Sequence, residues 1–512
     1  MKYFTITAML FMLFQYITPG CSNHSQHSLE KHGVVNFEVT CNEQANAEFE
    51  TGLGHLHHMM YSQAKPRFVA AAEADPNCAM AHWGIAMTSF QPLWAPSSDD
   101  DLLRGKAAVE EAIAVGTEND LESGLISTVE AFFSNQDPPA ADRPSDHQAR
   151  LAAWLGSLKE LRESYPDHVE VAAFYALAEI SYAMTHFSPT QERDFTRELR
   201  AGELMEEFLE EYPEHPGLFH YLIHAYDSSD LAHLAEEVAR KYDKLAPDTP
   251  HALHMPSHIF VRMGFWDDTA DWNERSADAA FRNPVNGLTS LHYPHALDYM
   301  MYAYLQLEEY EKAEGTLERV RDIEAGQPHF ATAYGIAAAQ ARYYMEQKKW
   351  EEAAQLVPNY PAAVNWNNYP GATALFHFTR GIGAARTGDL NQAEKEREII
   401  SELVSNMKNG GNVYWAFMTD ALSKAIDAWI IFENGQTETA LALIEEAAAL
   451  EESMDKHPIT PGEVLPVREL QGDMLIEAGR YDEAISAYEK SLERTPNRRY
   501  AEQRKELARA NL

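Results

Sequence analysis

Cysteine is scarce, three in 512 residues, and none stands in the paired spacing of a thiolate metal motif. Positive charge is short as well. With 41 basic against 79 acidic residues and a net charge of −38, the surface repels nucleic acid and anionic headgroups. Weakly, the bias favours cationic peptides or metal ions. The chain has no phosphate-cradling glycine loop, no Gly-x-Ser-x-Gly elbow and no His-Glu-x-x-His, so the standard kinase and hydrolase readings lack support. Strand-like alternation is rare. The apolar run Phe4 to Ile17 is too short to span a bilayer comfortably.

That run follows Lys2 and leads into Thr18-Pro19-Gly20-Cys21, the layout of an export signal. A small residue followed by cysteine predicts lipoprotein processing, with Cys21 acylated, although Thr18 stands where such signals usually carry leucine. Plain secretion is the alternative. The expected organisation is a signal over 1–20, a polar tether over 21–35 and the folded chain over 36–512. Membrane attachment is then expected through the acyl chain only. Cys41 and Cys78 lie near the starts of neighbouring helices. They read either as a disulfide or as two unpaired thiols packed as small hydrophobes.

What the chain does have is a period. His220-Tyr-Leu-Ile-His224 returns 34 residues later as His254-Met-Pro-Ser-His258, and Pro213 and Pro247 keep the same step. Leu465 onward shows Gly472, Gly479, Tyr481, Ala484, Tyr488 and Pro496 at the small, aromatic and helix-ending places of a tetratricopeptide (TPR) helix pair. Further units begin at Ala45, Pro216 and Pro250, and weaker ones turn on Tyr310, Trp350, Gly388 and Gly435. The prediction is an all-α, TPR-type solenoid, a right-handed superhelix of about 10 repeats. Insertions interrupt it near Met184 to Arg193, Asn283 to Tyr293 and Pro358 to Gly371. A polar helix from Arg498 to Leu512 caps it. Acidic pairs such as Glu206-Glu207, Glu210-Glu211 and Glu445-Glu446 read as a solvated outer face.

The period sets histidines where a repeat of this kind turns its first helix toward the concave groove. His220, His224, Asp227, His254, His258, Arg262, His295 and Asp298 are the candidate groove residues, with Tyr221, Tyr226 and Tyr293 as aromatic walls. The i, i+4 spacing stacks His220 on His224 and His254 on His258, so these four are the candidate ligands of Zn²⁺, Cu²⁺ or Fe²⁺. Two other readings stand beside it: rings that tie one repeat to the next by hydrogen bonds, and rings that contact an organic or peptide ligand. Pro256 argues that a helix starts there and leaves His254 in the preceding turn. His57-His58 reads as structural, since adjacent residues share no face. Lys456-His-Pro-Ile-Thr-Pro-Gly462 reads as a stiff loop serving packing or a binding edge.

The segments Asp75-Pro-Asn-Cys-Ala-Met-Ala-His-Trp-Gly84, His215-Pro-Gly-Leu-Phe-His-Tyr-Leu-Ile-His-Ala-Tyr-Asp227, Met255-Pro-Ser-His-Ile259, Gly383-Ala-Ala-Arg-Thr-Gly-Asp389 and Lys456 to Gly462 resemble those of a family of exported bacterial TPR proteins. The resemblance runs from about Val34 to the end. Gly54-His-Leu-His-His58 departs from it in the early groove. It implies a helical-repeat fold and a location in the bacterial cell envelope, and it carries no activity. Two function classes follow from the residues: a scaffold holding a peptide or protein in its concave groove, or a metal-binding protein or metal-dependent enzyme built on the histidines between His220 and His295.

Overall fold

Local chemistry starts and stops the helices. Asn42 accepts from the Ala45 amide, and Ser98 accepts from the Asp101 amide ahead of an acidic first turn, so orphan N–H groups are met at both starts. The computed structural model describes residues 31–94, 96–134, 146–186 and 193–512. The expected signal over 1–20, the acylated Cys21 and most of the tether lie outside the described residues.

Four helix pairs come first: α1 (Glu43–His57) with α2 (Tyr61–Ala74), α3 (Ala79–Phe90) with α4 (Asp99–Val115), α5 (Asp120–Phe133) with α6 (Asp146–Ser164), and α7 (Val169–Ala183) with α8 (Thr196–Leu209). Three carry most of the histidines: α9 (Pro216–Ala225) with α10 (Ala232–Ala239), the interrupted α11 (Pro250–His254) and α12 (Pro256–Met263) with α13 (Trp266–Arg282), and α14 (His292–Gln306) with α15 (Tyr310–Arg321). Four follow: α16 (Phe330–Met345) with α17 (Trp350–Ala354), α18 (Pro370–Arg386) with α19 (Leu390–Asn409), α20 (Val413–Glu433) with α21 (Thr437–Glu452), and α22 (Val467–Glu477) with α23 (Tyr481–Arg494). Then α24 (Arg499–Arg509) ends the stack, giving eleven pairs and a cap among the described residues where about ten repeats were expected. The fold is an all-α, TPR-type helical solenoid.

Each pair closes on small residues. A Cβ on Gly472 would lie 2.4 Å from the Tyr488 ring, and one on Gly52 would lie 2.9 Å from Phe68, so neither position admits alanine without moving a buried aromatic. First helices are enclosed, as in α14, where every residue from His292 to Gln306 is buried. Second helices keep one wet face. Glu206, Glu207, Glu210, Glu211, Glu445 and Glu446 are all exposed on such faces.

Three departures from the sequence expectation matter for the site. Packing onto the solenoid begins before residue 36, in a non-helical stretch: the Gly33 and Val34 amides donate to Leu245 and Glu214 carbonyls, and Val35, Phe37 and Val39 are buried. Arg498 does not begin a solvated cap. It is fully buried, donating to Glu469, Glu346 and the Tyr302 hydroxyl.

The third concerns the inner face. The segment from Asp455 to Glu463, with the helices that follow it, folds back onto α12, α14 and α16. Arg342 on α16 donates to the Thr460 hydroxyl and to the Gly462 and Glu463 carbonyls, and Tyr299 donates to the Pro458 carbonyl. The stiff loop read from the sequence is therefore an internal strap. Where it lies, the groove expected to receive a partner is filled by the chain itself.

Candidate metal centre

Three prolines set the histidine-bearing helices in place. Pro216, Pro250 and Pro256 each occupy the first turn of a helix, where the missing N–H has no intrahelical partner to lose. Contrary to the expectation that Pro256 strands His254 in a turn, His254 is the last residue of α11, and Met255 keeps helical backbone angles (φ −53°, ψ −41°). His254 and His258 therefore remain on one face, with their Nε2 atoms 3.0 Å apart.

The other nitrogens of these two rings are committed. His258 Nδ1 is 2.8 Å from Asp227 Oδ2, and burial opposes ionising Asp227, yet Lys456, Arg262 and His258 hold its carboxyl well below the usual range. An ionised carboxylate only accepts, so His258 Nδ1 carries the proton. His254 Nδ1 is 2.7 Å from Asn273 Oδ1, while Asn273 Nδ2 donates to the Thr269 carbonyl. That second bond fixes the amide orientation, so His254 Nδ1 is also the donor. With both rings neutral, two Nε2 lone pairs face each other. His295 joins them, its ring centroid 4.2 Å from that of His254 and its Nδ1 without a hydrogen-bond partner among the described residues.

A second triad adjoins the first. His220 Nδ1 donates to the His57 carbonyl at 2.6 Å, which turns an unpartnered Nε2 toward His224 and His251. His224 Nε2 and both nitrogens of His251 also lack partners among the described residues. In each triad one ligand atom per residue lies within 4.8 Å of the others. Ligand atoms around a tetrahedral zinc ion with bonds near 2.0–2.1 Å stand about 3.3 Å apart.

The grouping of His57, Glu170 and His215 is different. Both rings place Nε2 on the Glu170 carboxylate, at 2.8 and 2.9 Å, Tyr221 donates to His57 Nδ1, and His215 Nδ1 accepts from the Leu218 amide. Every nitrogen is served, so this cluster is a structural tie between the first, fourth and fifth pairs. His58 is likewise tied to Tyr242 and the His32 carbonyl.

The charges behind the first triad form a closed network. Arg262 donates to Asp227 and to Asp455, Arg193 pairs with Asp455, and Lys456 Nζ lies 3.2 Å from Asp227 Oδ1. Burial, with Arg262 alongside, pulls the Lys456 ammonium down to about 8 against the pull of Asp227 and Asp455. Burial likewise keeps the rings neutral. His254, His295, His220 and His251 are pushed well down by burial first and by one another second, and His224 falls to about 3 through burial and His258.

The eight candidate groove residues thus divide. His220 and His224 fall in one triad, His254, His258 and His295 in the other, and Asp227 and Arg262 stand behind it. The four candidate histidine ligands are divided between two groups of three histidines whose geometry could hold a metal ion. Asp298 belongs to neither: fully buried, it accepts from Arg342 Nε at 2.8 Å and helps anchor the strap. Of the aromatic walls, Tyr221 serves His57, Tyr226 donates to Glu206, and Tyr293 accepts from Arg319. Sequence reasoning missed His251 and read Lys456 only as part of the stiff loop. The spacing of His251 and His254, and of His292 and His295, is i, i+3, a signal that same-face counting would have found.

The donor chemistry fits a borderline transition metal. Two neutral imidazoles, His254 and His258, with Nδ1 held by an amide and a carboxylate, present Nε2 in the orientation metal-bound histidines commonly use, and with His295 they make a three-imidazole set of the kind that suits zinc or copper.

No family model and no curated protein matches the chain. Solved structures of repeat proteins do. Yeast Tom70 aligns at 13% identity over 91% of this chain and 95% of that one, with a TM-score of 0.37. A human IFIT1 dimer with m7Gppp-AAAA aligns at 12% identity, over 89% and 96%, with a TM-score of 0.32. The APC/C hetero-tetramer Cut9-Hcn1 aligns at 9%, over 91% and 90%, with a TM-score of 0.31. At such scores these alignments carry no inference about ligand or partner.

Proposed function

We propose that the protein is a metal-binding helical-repeat protein that retains a divalent transition-metal ion, zinc or copper, on His254, His258 and His295. One observation carries this reading: two Nε2 atoms 3.0 Å apart, each on a ring whose Nδ1 already donates. A proton between them would serve two nitrogens and leave His295 unserved. A metal ion serves all three. Asp227 would hold His258 in its ligating tautomer, as carboxylates behind metal-bound histidines do, and the 455–463 strap would close the site against loss of the ion.

The scaffold reading is the second. Helical-repeat stacks commonly bind proteins or peptides along their inner surface. Here the inner face by α14 and α16 is covered by the strap, so a peptide would have to displace Arg342 and Tyr299 contacts. An exported, lipid-anchored chain processed at Cys21 remains part of the proposal, with plain secretion or a periplasmic location as the alternative. It is supported by the signal-like first residues and by the disulfide joining Cys41 to Cys78, which suits an oxidising compartment.

The test is thermal. Tag-free protein stripped with a chelator should melt at a higher temperature once zinc or copper is restored, since an ion at 1,000 times its Kd adds about 4 kcal/mol. An unchanged melting temperature with both ions would defeat the proposal.

A further inference from the structure

We infer that His220, His224 and His251 form a second metal site, loaded separately from the first. The inference rests on the proposed metal function and adds a second ion to it.

The side chains come from two neighbouring first helices. His220 and His224 are one turn apart on α9, and His251 lies on α11, with ring centroids 4.8 Å (His220 to His224) and 5.0 Å (His220 to His251) apart. His220 is fully buried and His251 is 6% exposed, while His224 is half-buried. A buried imidazole that makes no hydrogen bond is costly, because its polar nitrogens leave water without replacement. His251 makes none with either nitrogen among the described residues, and His220 Nε2 and His224 Nε2 make none either. The His57 carbonyl fixes the His220 tautomer so that its lone pair points inward. Three neutral nitrogens with fixed or free lone pairs on one point form the donor set for zinc or copper.

The two triads differ in what stands behind them. The first has the Asp227 carboxylate and the Asn273 amide. The second has only a backbone carbonyl, so its ion is held by less basic ligands. Its ion should therefore be the more readily exchanged of the two. The sites touch through His224 and His258, whose ring centroids are 5.9 Å apart, and through His251 and His254 at 6.1 Å.

His251 offers a clean test because its removal breaks no hydrogen bond. Phenylalanine keeps the ring and removes both nitrogens. Stripped, tag-free wild type, His251→Phe, His295→Phe and the double variant would each be titrated with zinc and, separately, with copper(II), bound metal being counted after gel filtration and folding checked by circular dichroism. Two equivalents in wild type, one in each single variant and none in the double variant is the expected result. One equivalent in wild type, lost with His295→Phe and kept with His251→Phe, would overturn the second site while leaving the first. Loss of all metal in His251→Phe would also overturn it, as would two equivalents retained there. A wild type that binds neither ion would remove the proposed function, and this inference with it.

Discussion

His254 and His258 point the same nitrogen at each other across 3.0 Å, and neither ring is free to turn its proton into that gap. Asn273 holds one proton and Asp227 the other. Electrostatics alone disfavours this contact in a dry interior, where unpaired polar atoms are costly. Burial first, and then Lys456 and Arg262, oppose an imidazolium at His258 against the pull of Asp227, and the ring is held below its usual range.

Asp227→Asn should weaken both fold and site. It leaves Arg262 and Lys456 buried against one carboxylate, Asp455, and frees His258 to change tautomer. Removing one partner from a buried ion network costs about 3 to 5 kcal/mol, and removing the hydrogen-bond partner of a metal ligand costs roughly 10- to 100-fold in affinity. Urea unfolding and competitive metal titration measure the two. Wild-type values in both would show that the network is not coupled to His258.

Acid should unfold the chelated protein early. Burial holds His254, His258, His295, His220 and His251 below the usual histidine value of about 6.5, with His224 and His292 at about 3 and His329 at about 4. A histidine with a depressed folded pKa is neutral in the folded state while the unfolded chain takes up a proton. Its contribution to stability is thus complete above about pH 6.5 and lost as pH falls below it, down to about 3 for His224 and His292 and about 4 for His329. Each such ring costs about 1.4 kcal/mol per pH unit in that window. Melting curves from pH 8 to pH 4 should fall steeply below about pH 6.5, and a flat profile down to pH 5 would contradict the burial of neutral rings.

Reduction should loosen the first repeat. The Cys41–Cys78 disulfide closes a separation of 37 residues, ahead of α1 and at the N-cap of α3. A loop of that size stabilises by about 4 kcal/mol in the chain-entropy treatment. Thiol titration of the unfolded, unreduced protein should detect neither residue, and two reactive thiols would rule the bridge out.

Arg342→Ala should release the strap. The guanidinium is fully buried and bonds Asp298, Thr460, Gly462 and Glu463 at once. Losing it leaves Asp298 without its cation, a cost of about 3 kcal/mol or more. Limited proteolysis should then cut between Asp455 and Val464. Continued resistance there would mean that apolar packing, not Arg342, holds the strap.

The repeat architecture was legible because each helix pair solves the same local packing problem, so Gly472 facing Tyr488 and Gly52 facing Phe68 reappear at matching places. The histidine pairs were legible for the same reason. What the period could not convey is contact between distant segments. Lys456 reaches Asp227 across 229 residues, Arg498 reaches Tyr302 across 196, and the His57 carbonyl meets His220 across 163. These contacts decide that the groove is strapped, that Asp298 serves Arg342, and which nitrogen of His220 is free. His251 escaped notice for another reason: it lies outside the repeated i, i+4 pair, three residues ahead of His254, where only helical-face counting finds it.

The most direct measurement is the elemental content of full-length protein purified without an affinity tag, without added metal and without chelator, determined by mass spectrometry against protein concentration. Zinc or copper at one equivalent or more per chain is the predicted result, falling in His254→Phe, His258→Phe double-variant protein that still folds. Less than a tenth of an equivalent of any transition metal, in protein that also refuses added zinc and copper, would contradict the assignment of His254, His258 and His295 as a metal centre.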